Sequence, residues 1–204
     1  MGLKHQAASA RKWRAAIRQV ERHFPAYLPP LLFLTDPKRT PDPVAIVPTL
    51  PPGSGIIYRH FGASKRASVA RQLRYICAQS EIRFIIAGDP VLATHVGAYG
   101  VHWPEANLTE ARKWRGCFPL QTASAHTPSA IRRAANSGMD AVLFSTVFPS
   151  NSPSASSPHG AQRTRTVARR ANIPVYALGG LNNENARRVA SNTGLAAIEG
   201  LMVR

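Results

Sequence analysis

Short apolar runs recur along the chain: LLFLT (31–35), GIIYR (55–59), RFIIAG (83–88), YGVHW (99–103), FPLQTAS (118–124), DAVLFSTVF (140–148), PVYALGG (174–180) and LAAIEG (195–200). They are apolar on both faces rather than alternating, the pattern of parallel strands covered on both sides. Segments of helical periodicity lie between them, at 64–80, 127–138, 161–171 and 183–192, with shorter ones at 90–96 and 107–115. Strand alternating with helix gives either a doubly wound α/β sheet or a closed (β/α)8 TIM barrel, and eight strands favour the barrel.

Ahead of the first run, Trp13, Ile17, Val20 and Phe24 share one helical face. The chain stops at LMVR soon after the eighth run, which leaves no room for an eighth outer helix. The expectation is a basic N-terminal helix over residues 1–28, packed where that last helix would lie, on a barrel of residues 29–204. The Ser- and Pro-rich stretch FPSNSPSASSPHG (148–160) reads as a loop after the sixth strand. Loops at the carboxyl ends of barrel strands build active sites, so YRHFGA, AGDP, VHWPE and SAHT should share a mouth with it.

Composition then bounds the partners. The chain has 204 residues, 44% of them hydrophobic, which suits one soluble domain. A net charge of +16, from 26 Lys and Arg against 10 Asp and Glu, attracts nucleic acid, anionic membrane or phosphorylated small molecules. The arginines are spread over many segments, as on a solvated basic surface, and no zinc-finger spacing or RNA-binding motif accompanies them. Cys77 and Cys117 form neither a CxxC pair nor a disulfide framework, which fits a reducing cytoplasm. No apolar run approaches the roughly 18 residues of a membrane span. The N-terminus lacks a signal-peptide core; its Arg-rich, acid-poor composition also suits a transit peptide, but a helix of the domain is the preferred reading.

The Gly179–Gly180 pair has two readings, a tight turn or a phosphate cradle at a helix N-terminus capped by Asn182 or Asn183. Arg59 is either an anion ligand or half of an ordinary ion pair. Asp89, before Pro90, is a turn former or a metal ligand, and His126 a proton carrier or a hydrogen-bonded structural residue.

Taken in order, LLFLTDP, RFIIAGDP, GAYGVHWPE, SAHT, DAVLFSTVFPSNS and PVYALGGLNNENA resemble successive segments of the thiamine phosphate synthases and their sister thiazole tautomerases, across roughly residues 31–200. The resemblance implies a Mg²⁺-dependent enzyme coupling hydroxymethylpyrimidine pyrophosphate to hydroxyethylthiazole phosphate. It implies pyrophosphate contacts from Arg59 and Ser124, catalytic roles for Ser124 and His126, and metal contacts from Asp89 and Asn107. Ser150, Ser152, Gly179 and Gly180 would hold the thiazole phosphate. His102 would be structural.

The sequence departs from that pattern in the charged positions. Phe61 and Pro153 stand where the family has lysines, Gly88 replaces the Asn of an Asn-Asp pair, and Asn107 replaces a second metal-binding Asp. Glu199 falls near the expected thiazole phosphate. Lys65 or Arg66, and Arg163 or Arg165, are candidates to replace the lost cations. The departures leave three readings: a synthase with a rearranged pyrophosphate site, a thiazole tautomerase or non-catalytic thiazole phosphate binder, and, more distantly, a basic nucleic-acid-binding protein.

Overall fold

The computed structural model describes residues 2–150, 152 and 157–201, with side chains from residue 7 onward. Helix α1 (Gly2–Glu21) precedes strands β1 (Leu31–Leu34) and β2 (Gly55–Tyr58). Then follow α2 (Arg66–Gln79), β3 (Arg83–Ala87), α3 (Pro90–Val96), β4 (Gly100–Trp103), α4 (Leu108–Lys113), β5 (Leu120–Ala125), α5 (Pro128–Asn136), β6 (Ala141–Phe144), α6 (Gly160–Arg170), β7 (Val175–Ala177) and β8 (Gly194–Ala197). The eight strands close a parallel barrel in sequence order, with β8 returning to β1 through the Leu31 to Leu195 and Phe33 to Ala197 register.

The pleat sorts each strand into two faces. Leu32, Leu34, Ile57, Ile85, Ala87, Leu143, Tyr176 and Ala196 form one buried cluster, filling the barrel. Phe33, Ile56, Tyr58, Phe84, Ile86, Val101, Val142 and Phe144 form a second, between the strands and the helices. Both faces are dry, which explains the unbroken apolar runs.

α1 contributes Trp13, Ala16, Ile17 and Val20 to a third cluster with Leu31, Leu195, Ala186, Val189 and Ala190. The Trp13 indole N–H donates to the Gly200 carbonyl at 3.0 Å, tying the helix to the chain beyond β8. Among the described residues no helix follows β8.

The helix expected at 183–192 is not formed; a single 3-10 turn, Ala186–Arg188, stands in its place. Asn182 Oδ1 accepts the Glu184 and Asn185 N–H groups, and Asn185 Oδ1 accepts the Asn182 N–H at 3.0 Å. These side chains give the backbone local partners that compete with a helical ladder. The helical spacing of Ala186, Val189 and Ala190 instead serves contact with α1. No helix of the described residues is long and apolar enough to cross a membrane.

Candidate active site

The carboxyl ends of the strands converge on one mouth, where Arg59, Asp36, Arg39 and Glu199 form a connected set. Arg59 follows β2 directly, two positions beyond the barrel-filling Ile57. Its backbone N–H donates to Thr35 Oγ1 at 2.9 Å, its Nε to the Thr35 carbonyl at 2.7 Å, and its Nη2 lies 3.4 Å from Asp36 Oδ2. Asp36 also accepts Arg39 Nη2 at 3.0 Å and the backbone N–H groups of Lys38 and Arg39. The Arg39 hydrogen bond outweighs burial and holds the Asp36 carboxyl at about 2. Arg39 Nε in turn lies 3.6 Å from Glu199 Oε1. Glu199, expected to repel a phosphate, is therefore paired, and is linked through Arg39 and Asp36 to Arg59.

Deeper in the barrel lies a polar trio set by the β4–β5 register, which pairs His102 with Thr122. His102 Nδ1 is 2.9 Å from Thr122 Oγ1 and Nε2 is 3.0 Å from Ser124 Oγ. Burial, helped by the nearby Arg59 charge, pushes the imidazole down to about 3, so it is neutral, with one ring N–H and one lone pair. The Arg59 charge acts on His102, and His102 is bonded to Ser124. His102 was expected to be structural, and it is a buried residue bonded to a site residue.

His126 is exposed at the end of β5. Its Nδ1 lies 3.2 Å from both the carbonyl oxygen and the hydroxyl of Ser145, so the ring nitrogen has an acceptor and a hydroxyl of either role beside it. Its backbone N–H donates to Glu105, which pairs with Arg133.

The expected thiazole phosphate residues are gathered by the loop after β6. The Val147 and Phe148 N–H groups donate to the Leu178 and Gly179 carbonyls, both at 3.0 Å. A Cβ on Gly180 would lie 2.3 Å from the Pro149 carbonyl oxygen, and one on Gly179 would lie 2.8 Å from the Thr146 methyl carbon. Both glycines have positive φ, 100° and 63°. The pair is therefore glycine because two loops touch there, and the same contact brings Ser150 beside it. Ser150 Oγ accepts the Ser152 N–H at 3.3 Å. The helix dipole expected behind the pair is missing, because the chain forms only the 3-10 turn. Pro153 lies outside the described residues.

The metal expectation meets a different arrangement. Asp89 caps α3 by accepting the Leu92 N–H at 2.9 Å through Oδ1, while Oδ2 pairs with Arg66 Nη1 at 2.5 Å. Asn107 is exposed where a 3-10 turn, Glu105–Asn107, meets α4. Among the described residues no three His, Cys, Asp or Glu converge as a metal-binding group. A hard divalent cation wants several oxygens with uncommitted charge; one carboxylate, already neutralised by a guanidinium, does not fit it. Of the replacement cations, Arg66 is turned in and Lys65 is exposed. Arg163 is exposed and Arg165 half-buried, and neither forms an ion pair among the described residues.

The expected residues Arg59, Asp89, Ser124 and His126 stand at or just beyond strand ends. Asp36 and Arg39, which pair with Arg59 and Glu199, were not among the expected residues and had only the DPKR turn after β1 as a signal.

The family model for thiamine monophosphate synthase matches residues 50–201. The thiamine-phosphate synthase of Marinobacter nauticus is 30% identical over 183 residues, covering 84% of this chain and 82% of that protein. The Alcanivorax borkumensis enzyme is 31% identical over 82% of this chain and 81% of its own. For the Nitrosococcus oceani enzyme the values are 33%, 68% and 66%. Among solved structures, a thiamine phosphate pyrophosphorylase from Pyrococcus furiosus superposes with a TM-score of 0.68 at 23% identity, over 82% of this chain and 84% of that one, and so shares the fold.

Proposed function

The chain belongs to the thiamine monophosphate synthase family, and on that premise we propose that it makes thiamine phosphate from hydroxymethylpyrimidine pyrophosphate and hydroxyethylthiazole phosphate. The C–O bond at the pyrimidine methylene breaks with its electron pair leaving on pyrophosphate. The thiazole nitrogen then gives its lone pair to that carbon, and the products are thiamine phosphate and pyrophosphate. The observation that carries this reading is the Arg59 guanidinium, held by the Thr35 carbonyl and Asp36, at the same barrel mouth as Ser124, whose hydroxyl is bonded to the buried His102.

Arg59, braced by Thr35 and Asp36, offers its remaining N–H donors to the departing oxyanion, where directed charge stabilises the transition state most. Ser124 donates to the same anion when His102 Nε2–H occupies its lone pair and Thr122 donates to Nδ1. The Ser150, Ser152, Gly179 and Gly180 corner orients the thiazole phosphate, so that its nitrogen faces the methylene. The free Cys77 and Cys117 thiols support a cytoplasmic setting.

Mass spectrometry of the full chain with both substrates tests the reading. Thiamine phosphate should form, and Arg59→Ala should lower kcat/KM by about tenfold or more. No product, with or without divalent cation, overturns it.

A second reading, a thiazole tautomerase, is favoured by the exposed imidazole of His126, held at the mouth through Nδ1 by Ser145, a side chain able to carry a proton. The two separate on the wild type and His126→Ala together: thiazole isomerisation without thiamine phosphate, lost in His126→Ala, supports the tautomerase.

A further inference from the structure

Arg66 stands where the loops after β2 and β3 meet. It opens α2, and its guanidinium lies 5.5 Å from the centre of the Phe61 ring and 5.9 Å from that of Tyr58. Nη1 pairs with Asp89 Oδ2 at 2.5 Å, and Nη2 donates to the Ala87 carbonyl at 2.8 Å. The side chain is only 14% exposed. Phe61 is the position at which the resemblance leads one to expect a lysine, and Asp89 the position at which it leads one to expect a cation ligand. One guanidinium touches both.

We propose that Arg66 replaces the lysine and the divalent cation together, so that this chain binds pyrophosphate through guanidinium groups, Arg66 with Arg59, and without metal. The identity of the anion rests on the synthase reading above; the arginine-built site does not.

Three features carry the assignment. The Asp89 carboxylate is engaged on both oxygens, one by the guanidinium and one by the α3 cap, so a cation bound there would face the Arg66 charge across a carboxylate that Arg66 already neutralises. The guanidinium is held by Asp89 and Ala87 and flanked by two aromatic rings, the pre-organisation that makes arginine a good receptor for planar and tetrahedral oxyanions. Of its five N–H donors, Asp89 and Ala87 take two. The Nε–H is buried and has no partner among the described residues, the condition of a donor awaiting an acceptor.

The charge balance of the mouth gives the proposal a sign that a metal site would not have. Arg39, Arg59 and Arg66 face Asp36, Asp89 and Glu199, so the set is locally neutral. Attraction for pyrophosphate comes from directed donors and from the field of a chain with a net charge of +16. Removing the Asp89 charge should therefore strengthen anion binding here, whereas at a metal site it would weaken it.

Calorimetric titration of the full chain with inorganic pyrophosphate in EDTA tests this. The wild type should bind, Arg66→Ala should weaken binding by about tenfold or more, and Asp89→Asn should bind at least as tightly as wild type. Arg66→Lys, which keeps the charge but not the fork, should fall between and guards against a folding defect in the alanine variant. Mn²⁺, followed by electron paramagnetic resonance, should not bind the wild type at Asp89. The proposal is overturned if wild type binds pyrophosphate only with a divalent cation and Asp89→Asn abolishes that binding. Thiamine phosphate formed only with a divalent cation likewise sinks the proposal and leaves the synthase reading standing. Pyrophosphate binding in EDTA without product under any condition does the reverse.

Discussion

Replacing His102 with Gln should change how stability depends on acid, and the size of the change follows from burial. An imidazole in the unfolded chain takes up a proton near pH 6.5, whereas folded His102 resists it down to about 3. Because the folded value is depressed, the stability it confers is complete above the unfolded value. It is lost as pH falls from there toward the folded value. Between about pH 8 and about pH 5 the unfolded state gains a proton the folded state refuses, which removes about 2 kcal/mol of stability. At about pH 5 the result is nearly the same for any folded value below about 4, so it depends on burial and not on fine tuning.

Other groups do not obscure the comparison. Asp36, held at about 2, stays ionised across this range. His60, also pulled down by burial, contributes with the same sign in both proteins and cancels. Urea unfolding at the two pH values, on wild type and His102→Gln, reads the difference directly. The variant should lose about 2 kcal/mol less than wild type on acidification, whatever its stability at about pH 8. Equal losses in the two proteins would refute a buried, neutral His102.

Gly180→Ala forces a Cβ to 2.3 Å from the Pro149 carbonyl oxygen at a φ of 63°, and should lower stability by about 1–3 kcal/mol or more in thermal unfolding. Trp13→Ala removes a side chain only 4% exposed together with its bond to Gly200, and should cost about 3–5 kcal/mol, measured by denaturant unfolding. Arg39→Ala should let the Asp36 carboxyl rise from about 2 toward its ordinary value, followed by carboxyl NMR titration.

The barrel was legible because its strands are buried on both faces, so that LLFL, GIIY and AVLF leave no ambiguity of side. The segment after β7 misled because its apolar spacing answers to α1, while Asn182 and Asn185, which decide its backbone, act through side-chain bonds that periodicity does not register. The site was legible strand by strand: Arg59, Asp89, Ser124 and His126 each end or follow a strand. What joins them was not. Arg39 meets Glu199 from the opposite end of the chain, and His102 meets Ser124 through the register of neighbouring strands. Arg66 stacks on the very phenylalanine whose presence in the sequence reads as a lost cation.

The central claim is that the barrel mouth holds the pyrophosphate between Arg59, Arg66 and Ser124. A crystal structure of the chain with thiamine phosphate and pyrophosphate tests it most directly. The account predicts pyrophosphate oxygens bonded to all three side chains, with the thiazole phosphate against Gly179, Gly180 and Ser150. Pyrophosphate bound away from Arg59 and Arg66, or held by a metal on Asp89 with Arg66 displaced, would contradict it.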